Sequence, residues 1–444
     1  MQILLGSSSR ELSRLVHSSL QRFSYDIEEV DNGLDVFQQA LTRKYGLLIL
    51  DYHLARMNTV EILQRFMALK NFQIPPVLCL AGNENQRRTI ESLHCPHAEV
   101  IARPLVIREF VGKVRHALHE ENRLVCIGGG TGLFTLLSGL KTLGNVQLTS
   151  IVSMSDDGGS TGRLKHMFGI LTPGDIRRSL VALSTAPDLV NELMQYRFAR
   201  GGELTGHNLG NLLLTALTEM RGSMTRAVRS LSEILNIQGE VIPVTENVNT
   251  LYAELENGET LHGEAAIDIF ESGDPSLRIR RLWQEPATTA HPDAIEALAS
   301  ARCILLGPGD LFTSIISNLI VRGMAEAIRR SPARKIYICN IMTEPGETNH
   351  FQVSDHVREI IKYLGADCLA YVLCSSTAFS EEALKNYALK KQQPVAENDL
   401  SVLQGLTSAR IVWDDVASED ELVRHDALKL AGAIHKILDE EKKS

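Results

Sequence analysis

Apolar residues follow two alternating periods along the first 120 residues. Short apolar runs at 3–5, 47–50, 76–81 and 100–102 have the length of buried strands, and 27–30, bracketed by Ile27 and Val30, reads as one more. Between them, over 10–23, 34–41, 60–69, 86–93 and 107–118, apolar residues return every three or four positions, as on one face of a helix. Five strand–helix units in succession predict a doubly wound parallel sheet. The third strand ends on a carboxylate, Asp51.

The alternation resumes after a short polar connector at 119–123, which divides the chain into domains at 1–120 and 123–444. Here glycine-rich turns punctuate the strand ends. Residues 124–127 are apolar, Gly128, Gly129, Gly130, Thr131 and Gly132 follow, and Leu133, Leu136, Leu137 and Leu140 then recur at helical spacing. Glycines let a backbone turn sharply and approach phosphate oxygens, and a helix N-terminus offers free N–H groups. The spacing is not a strict dinucleotide fingerprint, and taken alone a plain tight turn explains it as well.

A second strand, 146–154, runs into Asp156, Asp157, Gly158, Gly159, Ser160, Gly162 and Arg163. The adjacent carboxylates suit a hard cation and Arg163 a phosphate. The other reading of this stretch is an Asx-rich turn with solvated acids. Asp175 reads as the N-cap of a helix carrying Ile176, Leu180 and Leu183. His207, Asn208 and Asn211 offer donors and acceptors at the start of another helix. Residues 303–306 lead into Gly307 and Gly309, and 335–339 into Asn340. Ligands of open α/β sheets sit outside the carboxyl ends of the strands, so these loops can converge on one cleft. Two stretches break the pattern. Residues 241–263 read as antiparallel strands with a turn at Asn257-Gly258, forming an accessory sheet, and 275–292 read as irregular.

Composition narrows the class. No charge-free apolar run approaches the ~20 residues a membrane helix needs. The first five residues read as a strand rather than a signal peptide. Seven cysteines, an odd number with no C-x-x-C pair, read as reduced core thiols of a cytoplasmic protein. The net charge of −9 belongs to the larger domain: residues 1–120 carry 14 basic and 13 acidic side chains, the remainder 31 and 41. With no basic stripe interleaved with aromatics, nucleic acid is not expected as the main ligand.

Residues 1–120 resemble the receiver domain of two-component response regulators, which has a flavodoxin-like fold. Asp51 falls at that family's phosphoryl acceptor. The likeness breaks at Gly6-Ser7-Ser8-Ser9, where receivers keep a magnesium-holding acidic pair. It breaks again at Ala81, in place of Ser or Thr, and at Arg103-Pro104, in place of Lys-Pro. Phosphoryl transfer needs a cation beside the transferring oxygens, and Asp51 alone is too little to hold one. The domain reads as a pseudo-receiver that docks protein partners or dimerises, with Asp51 a phospho-acceptor remnant. A phosphorylatable switch is the alternative.

Residues 122–444 resemble the CofD-like proteins and, within them, the YvcK-type gluconeogenesis factors. Residues 127–132, 155–163, 173–177, 206–211, 306–314 and 339–348 carry the resemblance, with Tyr387, Pro394-Val395 and Arg424-His425-Asp426. Asp310 and Phe312 depart from the usual Ser and Tyr. The resemblance implies a Rossmann-like fold. The YvcK branch is described as binding UDP-sugars such as UDP-N-acetylglucosamine, and as affecting cell-wall synthesis, cell shape and gluconeogenic growth. Tyr387 and Arg424 match positions tied to that ligand. The CofD branch transfers a phospholactyl group from a guanosine diphosphate carrier, using a divalent cation on acids matching Asp156 or Asp157. The closer match is to the YvcK branch. The expectation is a cytoplasmic, homo-oligomeric UDP-sugar-binding regulator, with Mg²⁺ at Asp156 and Asp157 and no membrane span. A metal-dependent transferase is the alternative.

Overall fold

The computed structural model describes residues 2–21, 25–43, 45–69, 72, 74–95, 97–119, 123–143, 146–268, 277–389, 391–395, 400–419 and 423–440. The chain forms two compact units, Met1–Glu121 and Asn122–Ser444. Among the described residues no helix is long and apolar enough to cross a membrane.

In the first unit, strands β1 (Gln2–Gly6), β2 (Asp26–Val30), β3 (Leu47–Asp51), β4 (Val77–Ala81) and β5 (Ala98–Ala102) alternate with helices α1 (Arg10–Leu20), α2 (Gly33–Thr42), α3 (Thr59–Ala68), α4 (Glu84–Glu91) and α5 (Ile107–His119). All strand pairs are parallel, in the order β2-β1-β3-β4-β5. This is the flavodoxin-like winding. Alternate strand residues feed two cores. Ile3, Leu5, Leu47 and Ile49 pack with Val16, Phe110 and Val114, while Leu4, Leu48 and Leu50 pack with Val36, Ile62 and Phe66. The sequence also starts four helices with side-chain caps: Ser9, Asn32, Asn58 and Asn83 each accept an N–H from the first turn. Such caps are worth about 1 kcal/mol each.

The second unit is built on seven parallel strands. They are β6 (Arg123–Gly128), β7 (Gln147–Val152), β8 (Glu240–Pro243), β12 (Cys303–Leu306), β13 (Arg334–Ile338), β14 (Tyr371–Ser375) and β15 (Arg410–Asp414), in the order β15-β14-β13-β12-β6-β7-β8. The chain begins in the middle at β6, winds out to β8, then returns to β12 on the other side. The sheet is Rossmann-like, and its winding reverses between β6 and β12. Helices α6 (Gly130–Leu140), α7 (Gly159–Phe168), α8 (Pro173–Leu183), α9 (Asp188–Gln195), α10 (Leu209–Arg221) and α11 (Met224–Leu235) fill the excursions up to β8. A small antiparallel sheet joins β9 (Thr250–Leu255), β10 (Thr260–His262) and β11 (Ile279–Glu285).

Two expectations are corrected here. Residues 240–243 do not join the antiparallel sheet; they pair in parallel with β7. Val241 and Ile242 are both buried, as a strand covered on two faces requires, and Pro243 is tolerated because β8 is an edge. Residues 279–285 are not irregular: they form β11, with Trp283 stacked on Tyr252 at 5.5 Å. The register shifts between Ile279 and Arg281, so that the consecutive Arg280 and Arg281 are both exposed and the alternation is hidden. A further antiparallel pair, β16 (Ala417–Glu419) and β17 (Val423–His425), was not foreseen.

Candidate functional site

A cavity of about 460 Å³ opens at the carboxyl ends of β6, β12 and β13, where the winding reverses. Its floor on the β6 side is Gly129, Thr131, Gly132 and Thr135. Helix α6 starts there without a cap from Gly129; the Gly130 N–H goes to the Asp175 carboxyl, and the next N–H groups, of Thr131 and Gly132, keep their donor capacity. The three central glycines do different things. A Cβ on Gly129 would stand 2.5 Å from the Asp175 carboxylate, Gly130 has φ +64°, and a Cβ on Gly132 would stand 2.4 Å from the Pro308 carbonyl oxygen. Gly132 therefore serves the packing of α6 on the β12 loop. Gly128 lies inside β6.

The β12 side contributes Pro308, Gly309 and Asp310. Gly307 and Gly309 carry φ of +82° and +154°, a path that L side chains rarely follow. The loop enters a π-helical turn, Leu311–Ile316. Buried Glu347 holds that turn: one carboxyl oxygen accepts the Phe312 N–H at 2.9 Å, and the other accepts the Thr313 hydroxyl at 2.5 Å. From the β13 end come Asn340, Ile341, Met342 and Glu344, and Asn340 Oδ1 is buried without a partner among the described residues. Tyr387, Val423, Arg424 and His425 complete the wall. The Tyr387 hydroxyl donates to the Val423 carbonyl at 3.1 Å and ties its helix to β17, while the Arg424 side chain stays exposed. Burial pushes the His425 imidazole down to about 4, so it is neutral at pH 7.

The other nominated residues form a separate network. Gly158 is the N-cap of α7 and Gly159 turns its first residue with φ +48°. The Ser160 hydroxyl lies 3.1 Å from His207 Nδ1 and accepts the Asn208 N–H at 3.2 Å. Asn208 caps α10, and Arg177 Nε donates to Asn211 Oδ1 at 3.0 Å. Arg163 donates to the Thr205 carbonyl. These side chains clamp α7, α8 and α10 together, and none of them lines the cavity.

Asp156 and Asp157 diverge. Asp156 accepts the Gly158 N–H at 2.9 Å and lies against Gly174; Asp157 accepts the Ala265 N–H at 2.9 Å and lies against Gly263. Each thus spends an oxygen on the main chain, and the two do not form one chelate. Among the described residues no three His, Cys, Asp or Glu groups are placed to hold a metal ion.

Sequence reasoning missed three largely buried acids, Glu264, Asp268 and Glu347, and gave Asp175 a different role. Asp175 is not the cap of α8, a position that Thr172 takes ahead of Pro173. It is a buried first-turn residue, 2.6 Å from Arg178 and bonded to the Gly130 N–H. Burial raises it to about 6, against the pull of Arg178. Burial also raises Asp310 to about 6, with Asp268 adding to the effect. Glu264, Asp268 and Glu347 are all pushed up, first by burial and then by neighbouring carboxylates. These residues come from widely spaced segments, so no local motif announces them.

In the first unit, Asp51 sits at the end of β3 with its carboxylate 3.0 Å from the Arg103 guanidinium. The loop after β1 is spent on local bonds: Ser9 caps α1, Ser7 donates to the Ser9 carbonyl and Ser8 to the His53 carbonyl. Asp51 is thus the buried half of an ion pair.

The comparisons fit this architecture. The family model described as 2-phospho-L-lactate transferase CofD matches residues 124–413. The gluconeogenesis factor of Bacillus subtilis is 38% identical over 323 residues, 72% of this chain and 99% of that protein. A relative from Nostoc sp. in the same gluconeogenesis-factor group is 36% identical over 457 residues, 97% of this chain and 98% of its own, so that match spans both units. A crystal structure of a UPF0052-family protein from Bacillus halodurans superposes with a TM-score of 0.67 at 39% identity, covering 70% of this chain and 99% of that one. The chain belongs to the CofD family and, within it, to the gluconeogenesis factors.

Proposed function

We propose that the cavity at the winding reversal binds a UDP-sugar, and that the protein is a ligand-responsive regulator of carbon use. The observation carrying this is the wall itself: a helix N-terminus whose Thr131 and Gly132 N–H groups are unspent, and a glycine loop, with Arg424 on the same cavity. Free N–H groups and a guanidinium are what a diphosphate requires. Thr131, Thr135, Asn340 and Gln392 add uncharged groups suited to ribose and sugar hydroxyls. The relatives' names point to gluconeogenic growth, and roles in cell-wall synthesis and cell shape belong to the same reading, as does a cytoplasmic location.

Mg²⁺ fits poorly at Asp156 and Asp157, because each already spends an oxygen on a main-chain N–H. Asp310, on the cavity wall, is the better-placed carboxylate, because Mg²⁺ commonly binds through one or two carboxylates together with ligand phosphates. Asp310 also supports a second reading, phospholactyl transfer. A carboxyl held near 6 can exchange a proton with a hydroxyl nucleophile. We assign the first unit to homo-oligomerisation or protein docking, since Asp51 is already paired with Arg103.

Isothermal titration with UDP-N-acetylglucosamine, with and without Mg²⁺, tests the main reading; Arg424→Ala should weaken binding in both conditions. Absence of binding by the parent protein defeats it. Steady product formation from a guanosine diphosphate phospholactyl donor would select the transferase reading.

A further inference from the structure

Helices α9 and α10 turn an apolar face outward. On α9, Leu189, Leu193 and Tyr196 recur at i, i+4 and i+7 and are 65%, 45% and 51% exposed, while of its eight residues only Met194 is buried. On α10, Leu213, Leu217 and Met220 repeat that spacing, and Leu213 and Met220 are 40% and 74% exposed. An amphipathic helix ordinarily turns such a stripe into the core.

The two stripes share one side. The Leu209 N–H donates to the Tyr196 carbonyl at 2.8 Å, and a Cβ on Gly210 would stand 2.5 Å from the Met194 carbonyl oxygen. The chain thus doubles back, and α10 packs beside α9 with Met194 and Gly210 marking the faces that meet. Counted at about 100° per residue from those two positions, both stripes turn in the same rotational sense, which on helices of opposite direction is the same side of the pair. At about 200 Å² for a large side chain, the six residues expose roughly 500 Å² of apolar surface. That matches the largest patch a monomer ordinarily shows, and it is most of the ~800 Å² per partner of a stable interface.

The rim selects the occupant. Asp188 and Glu192 lie on α9, and Arg197 and Arg200 follow its end. All four are exposed, and none has an ion-pair partner among the described residues. Two copies of α9 running in opposite directions set the acids of each against the arginines of the other. A face that carries both signs in this order is complementary to itself about a two-fold axis.

We infer that this face is a two-fold contact between two copies of the chain, each α9 lying antiparallel to its mate. The contact is independent of the ligand reading, and it gives the second unit a self-association surface of its own, apart from the role assigned to the first unit.

Sedimentation velocity of the full-length protein at micromolar concentration tests this, and the parent should sediment as a dimer. Leu193→Asp and Leu213→Asp replace exposed side chains, so both should fold; circular dichroism and urea unfolding check that. Each substitution enters a two-fold interface twice, so a tenfold loss per copy becomes about a hundredfold weaker dimerisation. Glu192→Arg sets like charges together across the axis and should weaken the dimer about tenfold. A parent that stays monomeric overturns the inference and leaves the face to a different protein. Folded Leu193→Asp and Leu213→Asp proteins that remain as dimeric as the parent also overturn it and move self-association to another surface. A Glu192→Arg dimer as tight as the parent's overturns the antiparallel pairing.

Discussion

Gly132 offers a direct test of how the site is built, because the same substitution should have opposite signs at two helical glycines. An alanine Cβ at Gly132 would stand 2.4 Å from the Pro308 carbonyl oxygen, 2.7 Å from its carbon and 2.9 Å from the Gly309 nitrogen. Carbon–oxygen contacts stop at about 3.3 Å, so α6 or the β12 loop must retreat by about 0.9 Å. Overpacking against backbone costs up to about 3 kcal/mol, while Gly→Ala in a helix returns about 1 kcal/mol. The net is a loss of about 2 kcal/mol. At Gly432, in helix Ala427–Glu440, an added Cβ meets nothing within 4 Å, so Gly432→Ala should gain about 0.5–1 kcal/mol. Both tryptophans, Trp283 and Trp413, belong to the second unit, so urea unfolding followed by tryptophan fluorescence reads that unit. Gly132→Ala should lower the midpoint and also weaken ligand binding; Gly432→Ala should raise the midpoint. A Gly132→Ala protein as stable as the parent would show that the helix and loop are not in contact there.

Three further outcomes follow from the structure. Asp175 is raised to about 6 by burial, so the folded state holds its proton more tightly than the unfolded chain. Its contribution to stability is full below the unfolded value near 4 and is lost as pH rises through 6. The melting temperature of Asp175→Asn minus that of the parent should accordingly increase between pH 4 and 7; a flat or falling difference contradicts the burial argument. Asp51, paired with Arg103, should gain no acyl phosphate from acetyl phosphate with Mg²⁺, checked by intact-mass spectrometry, and stoichiometric labelling would restore the phosphorylatable switch. Asp310→Asn should remove most of any Mg²⁺ dependence of UDP-sugar titrations while Asp157→Asn leaves it in place, because only Asp310 lines the cavity; the reverse result returns the cation to the pair after β7.

The alternation of strands and helices was legible where strands are apolar and the intervening helices amphipathic, as through most of β1 to β5. It was not legible at β11, where Arg280 and Arg281 are both exposed across a register shift, nor at β8, whose four residues carry no mark of parallel pairing. The glycine turns announced the strand ends, yet sequence could not separate Gly132, which makes room for a carbonyl, from Gly130, which needs a positive φ. Ser160, His207 and Asn211 look like ligand-binding groups in one dimension, and the fold spends them on each other. Tyr387 and Arg424 were visible only through family resemblance, since nothing local distinguishes them. The acids Asp175, Glu264, Asp268 and Glu347 matter through their mutual proximity, which exists only once the chain is folded.

The placement of β6 at the centre of its sheet has a consequence during synthesis. One neighbour, β7, follows within about twenty-five residues, but the other, β12, begins at Cys303, roughly 180 residues after Leu124. At ~5–20 residues per second, translation takes roughly 10–40 s to deliver it. Through that interval Leu124, Val125, Cys126 and Ile127 form an apolar edge with no partner on one side, the kind of edge that recruits other strands. Arrested nascent chains ending shortly before residue 303 should therefore be the form most dependent on chaperones, and they should lose that dependence once β12 and its loop have emerged.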